Sequence, residues 1–254
     1  MELRQLGNSN LRISPIAFGA WAIGGWMWGG ADKKDALNAI HESLELGMTT
    51  IDTAPVYGFG LSEEIVGEAI KGKRDQIQLL TKYGLRWNED KGVHYFDSTD
   101  NEGNKISIYR YASKESVIKE CEESLKRLNT DYIDLYQIHW PDASTPVSET
   151  MEAINILLEQ GKIRAAGVCN YDHDLLAESL NHAPIVSDQV PYSMVRRDIE
   201  ENLVPFCVEN GAGILAYSPL QRGLLTGKFK PGQKFNQGDS RPDTPYFQPE
   251  NIKR

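Results

Sequence analysis

Short apolar segments alternate along the chain with longer segments of amphipathic character. The apolar segments are hydrophobic through most of their length, which is typical of parallel strands buried on both faces. The pattern predicts seven strands, at Ile13–Phe18, Thr49–Asp52, Ile77–Lys82, Tyr132–His139, Ile163–Asn170, Ile185–Gln189 and Gly213–Tyr217.

The segments between the strands have helical spacing and recognisable ends. Asp or Ser at the start and Gly just past the end are common helix boundaries. Four helices are predicted, from Asp32 to Gly47, from Ser113 to Leu128, from about Met151 to Gly161, and from about Ile199 to Asn210.

Repeated strand–helix alternation predicts a parallel sheet, either a (β/α)8 barrel or an open doubly wound sheet. A doubly wound dinucleotide-binding sheet should carry a G-x-G-x-x-G turn after its first strand. The sequence there is GAWAIGGWMWGGAD, which lacks that spacing. We therefore predict an α/β protein with a (β/α)8 TIM barrel, in one domain over residues 1–254.

Two segments do not follow the alternation. Residues 1–12 are predicted to form an N-terminal β-hairpin plug, with its turn at residues 7–10. Residues 83–112 form a long connection, of the kind that is usually functional or disordered, and we expect it to lie on the substrate side. Because seven strands are readable before Arg254, we also expect the fold to be truncated before its eighth strand.

The composition narrows the classes of partner. The chain has 254 residues, of which 40% are hydrophobic and 25% are charged, so it can bury a large core. A net charge of −9 argues against nucleic-acid or membrane partners. Three cysteines, no signal peptide and no membrane-spanning apolar run predict a cytoplasmic protein, and no metal-ligand spacing appears.

The predicted strands finish in polar or aromatic residues. In a (β/α)8 barrel the carboxyl ends of the strands converge on one mouth, where catalytic residues lie. The residues at these ends are Trp21, Asp52, Lys82, His139, Asn170, Gln189 and Tyr217.

All five tryptophans also follow strands, on the same predicted face. Aromatic side chains around a few polar groups are typical of a small-molecule pocket. The predicted substrate contacts are therefore Trp21, Trp26, Trp28, Tyr57, Trp87, His139 and Trp140.

Three side chains suggest acid chemistry. Tyr57 would offer a phenol beside Lys82, whose charge Asp52 would neutralise, and we expect the cation to lower the tyrosine pKa. Such a tyrosine can give a proton to a developing alkoxide, while His139 holds the substrate oxygen. Protonating an alkoxide implies a hydride donor. Asn170 and Gln189 could bind a carboxamide and Tyr217 could stack on a nicotinamide ring.

Residues 47–70, GMTTIDTAPVYGFGLSEEIVGEAI, resemble the signature of the aldo-keto reductases. The segments LLTKYG, SLKRLNTDYIDLYQIHWPD, GKIRAAGVCN and YSPLQRGLLTGK follow in that family's order. The resemblance covers essentially the whole chain. It implies an NADPH-dependent enzyme that reduces aldehydes or ketones, whether sugar-derived or aromatic, to alcohols.

The resemblance also implies roles for individual residues. The family's catalytic tetrad falls on Asp52, Tyr57, Lys82 and His139. Its cofactor contacts fall on Trp21, Asp52, Cys169, Asn170, Gln189, Tyr217, Ser218, Pro219, Leu220, Gln221, Gly223, Lys228 and Arg241. Cys169 departs from the family, where many members have a serine, so that contact should be weaker.

Two other functions are open on the sequence. Potassium-channel β-subunits resemble the family and act mainly as binding partners, but they tend to carry Asn where this chain has His139. A Schiff-base lyase could use Lys82 as its nucleophile, although a neighbouring Asp52 would keep that lysine charged.

Overall fold

The computed structural model describes residues 1–252. The strands are β1 (Arg4–Gln5), β2 (Arg12–Ile13), β3 (Phe18–Gly19), β4 (Thr50–Asp52), β5 (Gln78–Tyr83), β6 (Leu85–Arg86), β7 (Val93–Thr99), β8 (Lys105–Arg110), β9 (Leu135–Ile138), β10 (Ala166–Cys169), β11 (Ile185–Pro191) and β12 (Gly213–Tyr217). The α-helices are α1 (Lys33–Glu45), α2 (Leu61–Ala69), α3 (Lys114–Leu128), α4 (Val147–Glu159), α5 (His173–Leu180), α6 (Leu203–Asn210) and α7 (Pro249–Ile252).

Seven strands form the main sheet, in the order β3-β4-β5-β9-β10-β11-β12. Every neighbouring pair is parallel, and helices connect most of them in sequence. The sheet is curled, as in a (β/α)8 fold, and the predicted number of seven strands is confirmed for residues 1–252. The carboxyl ends of all seven strands therefore open on the same side.

The N-terminal hairpin is present, but it takes a residue from the predicted first strand. Ile13 pairs with Arg4 in β1–β2, and the first strand of the main sheet is only Phe18–Gly19. The continuous strand over Ile13–Phe18 was thus wrong, and the hairpin extends past residue 12. Pro15 explains the break, because proline has no backbone N–H to donate to a sheet.

The hairpin covers the amino-terminal end of the main sheet. Leu6 and Ile13 are buried in a cluster with Leu80 of β5, Leu135 of β9 and Ala165, which directly precedes β10. This apolar layer closes the side of the sheet opposite the carboxyl ends.

Two of the predicted helix starts have side-chain caps in the structure. The Asp32 carboxylate accepts a hydrogen bond from the Asp35 amide at 2.9 Å, and the Ser113 hydroxyl accepts one from the Ser116 amide. Such caps satisfy amides that the first turn of a helix leaves free. The fourth predicted helix is shorter than expected and begins at Leu203. Helices α2, α5 and α7 were not predicted.

Residues 83–112 are ordered into a small sheet. Strands β6, β8 and β7 pair antiparallel in that order, so the long connection is neither disordered nor a simple loop. Arg86 anchors it to α3, since its buried guanidinium lies 3.6 Å from Glu120 and 3.5 Å from Glu123. None of the helices in residues 1–252 is long and apolar enough to cross a membrane.

Candidate active site

A buried charged cluster lies at the carboxyl ends of β4 and β5. Lys82 Nζ donates to Asp52 Oδ2 at 2.7 Å, to the Thr53 carbonyl at 2.9 Å and to the Tyr57 hydroxyl at 3.3 Å. The lysine side chain is 1% exposed. The sequence therefore predicted correctly that Asp52, Tyr57 and Lys82 come together.

The charge state of Lys82 follows from two opposed effects. Burial is the largest single effect and lowers the pKa of its ammonium, but the raising effects of the groups around it, Asp52 foremost, together outweigh burial, and the pKa lies above its ordinary value. Lys82 is thus charged at neutral pH. A charged, fully hydrogen-bonded amine is a poor nucleophile, which argues against the Schiff-base hypothesis.

The pKa of Tyr57 contradicts the expectation from sequence. Burial raises the pKa of Tyr57 to about 12, and attraction to Lys82 offsets only part of that rise. The physical reason is that removing the phenolate from water costs more free energy than attraction to one neighbouring cation recovers, because Asp52 already neutralises that cation. Tyr57 is therefore a protonated phenol at neutral pH, available as a proton donor.

His139 faces Tyr57 across the cluster. The two rings meet edge to face, with centroids 5.6 Å apart. Burial, and then repulsion from Lys82, hold the pKa of His139 well below its ordinary value. A neutral imidazole has one N–H donor and one acceptor nitrogen, so His139 can donate a hydrogen bond without competing for the proton of Tyr57.

The residues predicted to bind a carboxamide already have partners in the protein. Gln189 Nε2 donates to Asp52 Oδ1 at 2.9 Å. Asn170 Nδ2 donates to the His139 carbonyl at 3.0 Å, and Asn170 Oδ1 accepts from the Tyr217 hydroxyl at 2.9 Å. All three side chains line the same cavity. They are placed as predicted, but a ligand would have to exchange with these bonds.

The segment after β12 has an unusual backbone. Ser218, Gln221 and Arg222 adopt positive φ angles of 52°, 48° and 55°, which are uncommon for residues other than glycine. Strain of this kind often marks a ligand-binding loop. The Arg222 guanidinium lies over the rings of Trp21 and Trp28, 5.2 Å and 5.0 Å from their centroids.

The two arginines of this region differ in how they are paired. Arg241 makes a bidentate ion pair with Asp239. Arg222 donates to the Ser240 hydroxyl at 2.8 Å, while its Nε has no hydrogen-bond partner among the described residues. Arg222 is therefore the better placed of the two to meet an anion.

A cavity of about 830 Å³ joins these groups. Predicted site residues that line it are Trp21, Trp26, Trp28, Asp52, Tyr57, His139, Trp140, Cys169, Asn170, Gln189, Tyr217, Ser218, Pro219, Leu220, Gly223 and Arg241. Lys82 does not line the cavity and contacts the hydroxyl of Tyr57, which does. Trp87 packs against Phe59, Gln221 is buried against Ser193, and Lys228 is exposed, so these three predicted residues lie outside the cavity lining.

The cavity fits a nicotinamide dinucleotide. One end has the flat Tyr217 ring with the amides of Asn170 and Gln189, which match a carboxamide-bearing ring. The strained loop and Arg222, whose buried Nε has no hydrogen-bond partner among the described residues, line the same cavity and match an anionic phosphate. Within the described chain, no group of three His, Cys, Asp or Glu side chains could hold a metal ion.

Several lining residues were not among the predicted site residues, and three of them belong to the long connection. Leu85, Tyr95 and Phe96 come from the small sheet of residues 83–112 and form one wall of the cavity. The aromatic content of that segment was a signal, but its strand pairing was not readable from local sequence.

Comparison with known proteins identifies the family of the chain. The family model described as "Aldo/keto reductase family" matches residues 15–253. The chain is 43% identical to "Aldo-keto reductase YhdN" of Bacillus subtilis (strain 168), over 100% of this chain and 72% of that protein. It is 40% identical to "NADH-specific methylglyoxal reductase" of Escherichia coli (strain K12), over 99% and 77%.

Solved structures of other proteins have a similar fold. The glycerol dehydrogenase AKR11B4 from Gluconobacter oxydans superposes with a TM-score of 0.86 at 39% identity, covering 99% of this chain and 73% of that one. An aldo-keto reductase from Klebsiella pneumoniae in complex with NADPH gives a TM-score of 0.70 at 30% identity, covering 88% and 70%.

Proposed function

This chain belongs to the aldo/keto reductase family, and on that basis we propose that it is an NADP-dependent oxidoreductase that reduces small aldehydes and ketones to alcohols. The observation that carries the proposal is the Asp52–Lys82–Tyr57 cluster, which opens through Tyr57 onto a cavity also lined by His139.

In this proposal Tyr57 is the general acid. Its hydroxyl is protonated at neutral pH and lines the cavity, so it can give its proton to the carbonyl oxygen as that oxygen becomes an alkoxide. A high phenol pKa does not prevent this transfer, because an alkoxide is a much stronger base than a phenolate. The positive charge of Lys82, 3.3 Å from the phenol oxygen, stabilises the phenolate that remains.

His139 and Asp52 would support that step in different ways. A neutral His139 can donate a hydrogen bond to the substrate oxygen and hold it near the phenol. Asp52 keeps Lys82 charged and in place, at 2.7 Å. When bound, the nicotinamide supplies a hydride to the carbonyl carbon.

The cofactor would lie against the part of the cavity lined by Tyr217 and the loop that follows it. We assign Tyr217 to stacking on the nicotinamide and Asn170 and Gln189 to its carboxamide, with Trp21, Asp52 and Cys169 beside them. Residues 218–223, with Arg222 and Arg241, would bind the phosphates, and Lys228 would contribute from the exposed part of that loop. NADP rather than NAD is supported by the Klebsiella complex, whereas the Escherichia coli relative is named as NADH-specific.

Steady-state kinetics test the proposal. We expect the purified protein to consume NADPH when methylglyoxal is added, with one alcohol formed per NADPH oxidised, and to show a lower kcat/KM with NADH. Absence of alcohol with either cofactor would refute the reductase. Preference for NADH would leave the reductase and overturn only the cofactor assignment.

A further inference from the structure

The pairing between β7 and β8 contains a β-bulge at Tyr95. His94 pairs with Tyr109 and Phe96 pairs with Ile108, so two steps along β7 correspond to one step along β8. In a regular strand, adjacent side chains point to opposite faces. A bulge inserts one residue, bends the strand and redirects a side chain. Here Tyr95 and Phe96, although adjacent, both line the cavity that contains Tyr57.

The two redirected rings complete an aromatic wall. Phe96 lies parallel to Trp26, with centroids 6.2 Å apart and planes 6° apart. Tyr95 packs on Trp140 at 5.4 Å and on Phe96 at 4.9 Å. Since Trp26 and Trp140 line the cavity as well, the wall presents mainly ring surface to whatever occupies it.

Hydrogen bonds fix this wall relative to the proposed acid. Trp26 Nε1 donates to the Ser98 hydroxyl at 3.1 Å. Asn101 Nδ2, at the tip of the β7–β8 hairpin, reaches the carbonyls of Gly24 at 3.2 Å and Gly58 at 3.4 Å. Gly58 directly follows Tyr57. The small sheet therefore holds a set position against the reacting group, as specificity requires.

We propose that the bulge at Tyr95 makes this enzyme selective for carbonyl compounds that carry a flat apolar substituent, such as an aryl group, beside the carbonyl carbon. The inference rests on the proposed function. Ring faces attract other flat apolar groups. Ring faces form no strong hydrogen bonds, so the hydroxyl groups of a sugar that faced them would lose water without replacement.

Two substrates with the same reacting group test the inference. Phenylglyoxal and methylglyoxal are both 2-oxoaldehydes and differ in a phenyl or a methyl substituent. We expect the native enzyme to favour phenylglyoxal in kcat/KM by at least roughly tenfold. Tyr95→Ala and Phe96→Ala should each reduce that ratio several-fold, by raising KM for phenylglyoxal more than KM for methylglyoxal.

Tyr109→Ala provides the matched control. Tyr109 pairs with His94 in the same small sheet, and it is not among the described residues that line the cavity. This variant should keep the native ratio. Phe96→Leu, which preserves apolar volume, should give an intermediate ratio and guards against misfolding of the alanine variants. Binding of 2-hydroxyacetophenone, followed by tryptophan fluorescence, should weaken in parallel with the ratio.

Failure of the proposed function and failure of this inference give different results. If the native enzyme reduced neither 2-oxoaldehyde, the proposed function itself would be refuted. Reduction of methylglyoxal with no preference for phenylglyoxal, or a preference that Tyr95→Ala and Phe96→Ala leave unchanged, would overturn the inference alone.

Discussion

Replacing Tyr57 with phenylalanine separates a catalytic hydroxyl from a structural one. Tyr57→Phe removes a single oxygen whose one hydrogen-bond partner within residues 1–252 is Lys82, at a long 3.3 Å. Lys82 keeps its bonds to Asp52 and to the Thr53 carbonyl, so no buried charge is orphaned. The free energy of unfolding should therefore change by no more than about 1 kcal/mol.

The same substitution should nearly abolish reduction. General-acid catalysis is worth roughly 10²–10⁴-fold in rate, which corresponds to about 3–5 kcal/mol of activation free energy. Phenylglyoxal reduction and thermal unfolding should be measured on one preparation. Because the pKa of Tyr57 is about 12, kcat of the native enzyme should not fall as the pH rises through neutrality. Retention of more than about a tenth of native turnover, with a clearly lowered Tm, would refute the assignment.

Three further predictions concern other residues. Asp188 is fully buried, and neither carboxylate oxygen has a hydrogen-bond partner in the part of the chain described. Burial raises the pKa of Asp188 from 3.8 to about 8, so Asp188 stays protonated in the folded state at pH values where it ionises in the unfolded state. The free energy of unfolding should therefore fall as the pH rises from acid toward 8. Asp188→Asn should reduce that slope in pH-dependent chemical denaturation and leave the part contributed by Glu120, whose pKa burial raises to about 7; an unchanged slope would show that Asp188 is ionised in the folded protein. Arg222→Gln should weaken NADPH binding roughly tenfold or more in a fluorescence titration, since it removes a charge-assisted donor, and an unchanged Kd would exclude that contact. The three cysteines are buried and burial raises the pKa of each thiol, so the native protein should resist a thiol reagent that labels it fully after unfolding, and rapid native labelling would contradict their placement.

The charged cluster was predictable because it depends on local patterns. Apolar strands that end in Asp52, Lys82 and His139 place these residues at one mouth as soon as the strands are parallel neighbours. The order of the strands in the sheet follows from the same alternation. The sequence therefore contained most of the fold and the core of the site.

What could not be predicted depends on contacts between distant segments. The wall of Tyr95 and Phe96 requires the antiparallel pairing of β7 with β8 and a bulge within it, neither of which has a local signature. The bond from Gln189 to Asp52 joins residues 137 positions apart. The high pKa of Tyr57 is set by the burial of the whole cluster, which neighbouring charges alone do not reveal.

Isotope transfer from the cofactor tests the central claim most directly. The native protein should be given NADPH carrying deuterium at the transferable position of its nicotinamide, together with phenylglyoxal, and the product analysed by mass spectrometry and NMR. We predict an alcohol with one deuterium on the former carbonyl carbon, formed at a rate that Tyr57→Phe lowers at least a hundredfold. An alcohol without deuterium, or no alcohol at all, would contradict hydride transfer at this site.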